Sequence, residues 1–155
     1  MNPENRNFPG TMPVYKKIGA AQFTLMRPRY NESGRVEKNG GVLLEVAPAK
    51  PNQDKAYDWG NKISFAFGLN DITQIFSSPD APPRLIHKST NGSTKSLSFV
   101  PGEEKYAGTY MIKLSEKAEG QNSQYKNVSV PLTSGEYTVL LRLFMSAVPL
   151  MIGWS

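Results

Sequence analysis

The 155-residue sequence predicts an α+β fold in which each half of the chain lays down about four β-strands and then a helix. Three observations carry that prediction. Short stretches alternate apolar and polar residues between turn signals. Pro79, Pro82 and Pro83 close a short helical stretch near the middle. A capping box, Thr133-Ser134-Gly135-Glu136, opens a long apolar run near the end.

In the first half, residues 14–27 are apolar and basic with few breakers and read as one long strand. Asn31-Glu32-Ser33-Gly34 is turn chemistry. Residues 35–38 form a short strand, and Asn39-Gly40 is the favoured two-residue hairpin signal. Val42, Leu44 and Val46 then alternate with Leu43 and Glu45 up to Pro48, and a polar loop covers residues 49–55. Lys62-Ile63-Ser64-Phe65-Ala66-Phe67 alternates as a half-buried strand does. Residues 70–76 read as a short helix with Asn70 as its N-cap.

The second half repeats the theme in structure, not in sequence. Strands are expected at residues 84–88, 95–100, 106–114 and 127–130, with a turn at Asn91-Gly92 and a polar loop over residues 116–123. The capping box then starts a helix over residues 134–148, stopped by Pro149, with a short tail over residues 150–154.

That last helix argues for assembly. Tyr137, Leu140, Leu141, Phe144 and Val148 share one face, which should pack on the chain's own sheet. Val139, Leu143, Ala147, Leu150 and Met151 point elsewhere, and only Arg142 is charged after Glu136. A helix apolar almost all round must be buried almost all round. Leu143, Ala147, Leu150 and Met151 are therefore expected to meet another subunit of a homo-oligomer.

The length suits one domain, read as residues 13–155 behind a flexible N-terminal arm over residues 1–12. The chain has no cysteine, which excludes disulfides, thiolate zinc sites and a cysteine nucleophile. His87 is the only histidine, a poor start for a metal site or a Ser-His-Asp system. There is no P-loop, no GxGxxG and no HExxH. The pairs Asp54 with Asp58 and Glu103 with Glu104 lie in polar loops, where acids are ordinarily solvated. No catalytic residue, metal or cofactor is expected, and the chain reads as a binding protein rather than an enzyme. No apolar stretch is long enough to cross a membrane. The N-terminus lacks the apolar core of a secretory signal, which favours the cytoplasm, or an organelle if a presequence is missing. The net charge of +5, from 18 basic and 13 acidic residues, favours a polyanionic partner.

The cations are interleaved with aromatics. Tyr15-Lys16-Lys17 opens the first long stretch, and Phe23 with Arg27, Arg29 and Tyr30 closes it. Tyr57-Asp58-Trp59 with Lys62 precedes the central strand, and Lys88, Lys95 and Lys113 lie on other strands. Proteins that hold single strands need cations for the phosphates and flat rings for unstacked bases. No charged helix suited to a duplex groove is present. Phe65, Phe67, Phe99 and Phe144 fit core positions instead.

The ordered motifs resemble the Whirly family. The similarity is carried by the run from Gly40 through Pro48, by Tyr57-Asp58-Trp59 with Lys62-Ile63-Ser64-Phe65-Ala66, and by Lys95-Ser96-Leu97-Ser98. Val130-Pro131-Leu132-Thr133 with Glu136-Tyr137, and the ending Pro149-Leu150-Met151-Ile152-Gly153-Trp154, complete it. The resemblance implies two four-stranded antiparallel β-sheets packed at a steep angle with helices after each, a ββββα repeat. It implies a tetramer held by the C-terminal helical region. It also implies binding of single-stranded DNA along sheet edges with little sequence preference, in replication, repair or recombination. Related guide-RNA-binding proteins of the same fold keep RNA as the alternative ligand. Plant members carry Lys-Gly-Lys-Ala-Ala-Leu on the first strand, where this chain has Lys16-Lys17-Ile18-Gly19-Ala20-Ala21-Gln22. The lysines and alanines are kept and the spacing is not; the N-terminal arm is short and lacks a plant-type transit peptide, which suggests a bacterial or phage member. On this reading Lys16, Lys17, Arg27, Lys62 and Lys95 neutralise phosphates, and Tyr15, Phe23, Tyr57 and Trp59 line the base path.

Overall fold

Alternation of buried and exposed side chains along each strand builds the protein from two four-stranded antiparallel sheets. The computed structural model describes residues 10–120 and 125–154, so most of the expected N-terminal arm and part of the loop at 116–123 lie outside it. The first sheet has the order β1 (Thr11–Tyr15), β2 (Gly19–Met26), β5 (Gly41–Pro48), β6 (Ile63–Phe67). The second has the order β10 (Tyr125–Thr133), β9 (Thr109–Lys117), β8 (Thr94–Pro101), β7 (Leu85–Lys88). Helix α1 (Leu69–Ser77) follows the first sheet and α2 (Ser134–Met151) follows the second.

The stretch over residues 14–27 is two strands, not one. The chain reverses at Lys16-Lys17-Ile18, with the Lys16 N–H donating to the Gly19 carbonyl at 2.9 Å. That turn has none of the usual turn residues. What fixes it is packing: a Cβ on Gly19 would stand 2.9 Å from the Ala47 carbonyl oxygen and 3.1 Å from Val130 Cγ2, so only glycine lets β2 start there. The first half also carries an extra hairpin, β3 (Arg29–Tyr30) with β4 (Val36–Lys38), outside both main sheets. Asn31 Oδ1 closes it by accepting the Ser33 and Arg35 amides, each at 3.0 Å.

Smaller boundary corrections follow from local bonds. Helix α1 starts at Leu69, and its cap is Gly68 rather than Asn70: Asp71 reaches back to accept the Gly68 N–H at 2.8 Å. Tyr106 belongs to a short 3-10 turn before β9, and β10 extends past both ends of the expected strand, out to Tyr125 and Thr133. His87 donates from Nε2 to Asp71 at 2.9 Å and stacks on Phe65 with ring centroids 4.0 Å apart. The lone histidine therefore ties β7 to α1 and β6.

Helix α2 begins as expected. Thr133 Oγ1 accepts the Glu136 N–H at 3.0 Å and Glu136 Oε1 accepts the Thr133 N–H at 2.8 Å. It does not stop at Pro149 but continues to Met151. The missing proline N–H falls in the last turn, which is anchored by the fully buried Met151 side chain and by the Gly40 N–H donating to the Met151 carbonyl at 2.9 Å.

The buried stripe of α2 is Tyr137, Leu140, Phe144, Ala147 and Met151. Ala147 and Met151, expected at a subunit contact, are thus core residues. They lie ten and fourteen positions beyond Tyr137 and continue its stripe at 100° per residue. Leu143 is exposed and Leu150 half-buried. In the core between the sheets, the Phe67 ring stands 4.9 Å from Phe144 and 6.2 Å from Phe99. Each such ring, fully buried, contributes about 1.5–3 kcal/mol.

The register sorts the faces. In the second sheet Leu85, Leu97, Leu114 and Val128 form one cross-strand row facing the core. Lys88, Thr94, Lys117 and Tyr125 form a row on the opposite, outer face, which also carries the row Ser98, Lys113, Ser129. Strand β10 packs across β2 and β5, and the Lys95 Nζ donates to the Ser64 carbonyl of β6 at 2.6 Å, joining the two sheets.

Candidate nucleic-acid interface

A cleft of about 1100 Å³ opens at one end of the first sheet, between the β1–β2 turn and the loop of residues 49–57. The loop is a closed hairpin. Ala49 bridges to Tyr57, Lys50 N–H donates to the Ala56 carbonyl at 2.8 Å, and Asp58 N–H donates to the Pro48 carbonyl at 2.8 Å. The Tyr57 hydroxyl donates to the Lys16 carbonyl at 2.7 Å and pins the loop to the turn.

Tyr15 stands at the rim, 62% exposed, its ring 5.7 Å from Tyr57 and tilted by 32°. A base between two rings needs roughly twice the 3.4 Å step of a stacked strand, so the pair is no open slot. A base would lie on the free face of Tyr15. Around it Lys17, Lys50 and Lys55 are exposed and form no ion pair among the described residues. Among the described residues Asp54 is the only carboxylate lining the cleft.

The fold thus brings together Tyr15, Lys16, Lys17 and Tyr57 from the sequence reading, and adds Lys50 and Lys55. The sequence reading does not single those two out, although they bracket the loop that delivers Tyr57. Lys16 lines the cleft but its ammonium is taken by Glu136 at 2.7 Å. Partial burial pushes the Glu136 carboxyl up; the hydrogen bonds from Lys16 and from the Thr133 amide outweigh it and hold the group below the usual carboxylate range.

The remaining residues lie elsewhere. Phe23 is 4% exposed and packs edge-on to Phe144 at 6.4 Å. It is a core ring, not a stacking platform, because it shares the inward row Met12, Phe23, Leu44, Phe65. Trp59 is half-buried in a 3-10 turn (Trp59–Asn61) beyond the cleft. Arg27 follows the far end of β2, about 23 Å away along an eight-residue strand. Lys95 is held by Ser64 and lies 3.8 Å from Glu116.

Lys62 is on the outer face of the first sheet, paired with Glu45, whose other oxygen accepts from Gln22 at 2.9 Å. The Lys62 hydrogen bond, opposed by burial and aided by Gln22, holds the Glu45 carboxyl low. An apolar groove of about 340 Å³, floored by Phe23, Val42 and Ala147, opens beside Leu143 and Leu150 of α2. Among the described residues no cluster of His, Asp or Glu could hold a metal, and no helix is long and apolar enough to cross a membrane.

Known proteins share both the sequence and the shape. Single-stranded DNA-binding protein WHY1, chloroplastic, of Zea mays is 26% identical over 153 residues, covering 92% of this chain and 56% of that protein. Single-stranded DNA-binding protein WHY2, mitochondrial, of Arabidopsis thaliana is 27% identical over 156 residues, covering 92% and 62%. The chain therefore spans little more than half the length of these relatives. Among solved structures, WHY3 from Arabidopsis thaliana superposes with a TM-score of 0.84 at 24% identity, covering 97% of this chain and 92% of that one. The plant transcriptional regulator PBF-2 gives 0.83 at 23% identity, covering 97% and 86%. At that identity the superpositions establish the fold. The sequence model of the Whirly transcription factor family matches residues 14–143, and the chain belongs to that family.

Proposed function

We propose that this protein binds single-stranded DNA with little sequence preference, taking a base on Tyr15 and the flanking phosphates on Lys17, Lys50 and Lys55. The observation that carries the reading is the exposed Tyr15 ring set among lysines with no ion pair among the described residues, at the mouth of a cleft whose loop is pinned to the β1–β2 turn by Tyr57. A ring of this kind contributes roughly 1–3 kcal/mol per stacked base, whatever the base. The names of the relatives, single-stranded DNA-binding proteins, support the same ligand class. Tyr57 and Lys16 position the cleft. Lys62 is paired with Glu45, and Trp59, Lys95 and Arg27 lie away from the cleft, so the contacts proposed rest on Tyr15, Lys17, Lys50 and Lys55.

The protein works as a homo-oligomer, read as a tetramer. Val139 and Leu143 are 50% and 43% exposed on one side of α2, next to the apolar groove that Leu143 and Leu150 line. A second copy covering that face removes an apolar surface a monomer would have to leave in water. Exposed strands in replication, repair or recombination are the natural targets. RNA is the alternative, since nothing in the cleft reads a 2′-hydroxyl.

Titration of a labelled oligothymidine, with duplex DNA and an RNA of the same sequence as competitors, tests the reading. Tight binding of the single strand, weak competition by duplex and affinity falling steeply with salt are expected. Equal affinity for duplex, or affinity indifferent to salt, would overturn it, and preferential competition by RNA would reassign the ligand.

A further inference from the structure

The outer face of the second sheet carries charge of one sign. Along three neighbouring outward rows the side chains are hydroxyls, an amide, lysines, Tyr125 and, at the β7 edge, Ile86. Lys88, Lys113 and Lys117 are exposed there, and Ser96 and Ser115 are paired between them at 2.7 Å. Glu116 of β9 points the other way: it sits in a row with His87, Lys95 and Lys126 on the core-facing side, and lies 3.8 Å from Lys95. Glu119, beyond the end of β9, lies against Gly92 in the β7–β8 turn. None of the three outward lysines has an ion-pair partner among the described residues.

The spacing follows from strand geometry. Lys113 and Lys117 lie four residues apart on β9, about 13 Å. Lys88 and Lys117 lie two strands apart in one row, about 10 Å. Tyr125 ends that row, 61% exposed. A solvated sheet face ordinarily mixes both signs of charge; the three rows here carry cations and no carboxylate.

The edge strand of that sheet packs beside the β1–β2 turn of the cleft. Gly19 ends the turn that carries Lys16 and Lys17, and a Cβ there would stand 3.4 Å from the Ser129 carbonyl oxygen. Ser129 is the β10 member of the outward row that holds Lys113. A strand that leaves the cleft and crosses this edge would run along the outward row of Ser129 and, one strand further in, Lys113.

We infer that the outer face of the second sheet is a second phosphate-binding track for the same single strand, with Lys88, Lys113 and Lys117 as its cations. This rests on the cleft being a single-strand site. It makes affinity depend on length: a short strand occupies the cleft alone, and a longer one has three further phosphates neutralised.

The test compares oligothymidines of about 8 and about 40 nucleotides, chosen around the usual site sizes of single-strand proteins. Parental protein, a Lys88→Gln/Lys113→Gln/Lys117→Gln variant and Tyr15→Ala are titrated across a salt series, and phosphatidylserine vesicles serve as a further probe. The lysines are exposed, so thermal unfolding serves only to check that the triple variant folds. Its affinity for the long strand is expected to fall at least tenfold, and the slope of log K against log salt to become shallower by about 2, near 0.7 for each phosphate no longer neutralised on a single strand. Its affinity for the short strand stays unchanged. If Tyr15→Ala weakens both lengths and the triple variant weakens neither, or weakens both equally, the second track is overturned and the cleft stands. If neither variant changes anything, the cleft reading fails as well. A triple variant that loses only vesicle binding, with no change for either strand, would give the face to a membrane and overturn the track.

Discussion

The ammonium of Lys16 sits 2.7 Å from Oε1 of Glu136, joining the turn that opens the first sheet to the N-terminus of the last helix. The same carboxylate caps Thr133. One ion pair thus fixes the cleft wall relative to the helix that carries the exposed apolar face. It also divides the labour of two adjacent lysines: Lys16 holds the wall, and Lys17 faces solvent.

The two should separate in experiment. Lys16→Gln breaks a part-buried pair, and thermal unfolding should show a loss of about 1 kcal/mol. Lys17→Gln should leave the unfolding temperature within error and reduce the salt slope of oligothymidine binding by about 0.7. Equal effects of both substitutions on both readouts would contradict the assignment.

Acid should loosen the protein through Glu136 and Glu45. Both carboxyls are held below their ordinary value in the folded state. As pH falls, the unfolded chain takes up these protons first, so the stability they contribute is complete above about pH 4.3 and drains away below it. The unfolding temperature, followed from pH 6 downward in a series of buffers (steps of about one unit, the span of a carboxylate titration), should fall less steeply for Glu45→Gln and Glu136→Gln than for the parent. Parallel curves would remove both groups from the account.

Alkali should act through Tyr137. Its hydroxyl donates to the Pro79 carbonyl at 2.8 Å and its ring stacks on Tyr110 at 4.1 Å. Burial, with the Tyr110 and Asp80 charges, pushes its pKa up to about 12. The stability it contributes is complete below about pH 10, the unfolded value, and is lost as pH rises through the folded one. Tyr137→Phe should cost about 1 kcal/mol near neutrality. The gap to the parent should close as pH climbs above 10, read by denaturant unfolding. A gap that stays constant would mean that the phenol does not titrate in this window.

Assembly should depend on Leu143 and not on its neighbours in the core stripe. Leu143→Asp places a charge on the exposed face of α2, and mass measurement in solution should show smaller particles with the fold retained. Met151→Ala should instead lower stability by about 2–5 kcal/mol, because it opens a cavity in the core. Unchanged particle mass for Leu143→Asp would move the subunit contact elsewhere.

Local features are legible in the sequence. The Thr133–Glu136 box joins residues three positions apart, and strand alternation repeats every two, so both show in a linear pattern. Features that depend on partners far along the chain are not. Lys16 looks like a free cation until Glu136, 120 positions later, comes to meet it; Lys62 looks free until Glu45 does. The reversal at residues 16–18 is set by the packing of Gly19 against Ala47 and Val130, which no turn residue announces. Pro149 reads as a stop because the burial that holds the last turn, at Met151, is tertiary. Lys50 and Lys55 are hidden because loop lysines look alike until Tyr57 folds the loop onto Tyr15.

The most direct test of the central claim is the affinity of Tyr15→Ala for a single strand. Tyr15 is exposed and makes no hydrogen bond from its side chain among the described residues, and the Tyr57–Lys16 bond still pins the loop, so its loss should leave the fold intact with only a small change in unfolding temperature. Oligothymidine affinity should drop about 5- to 150-fold, the equivalent of one stacked base at 1–3 kcal/mol. An unchanged affinity with an intact fold would contradict the claim that the cleft at Tyr15 is where this protein holds nucleic acid.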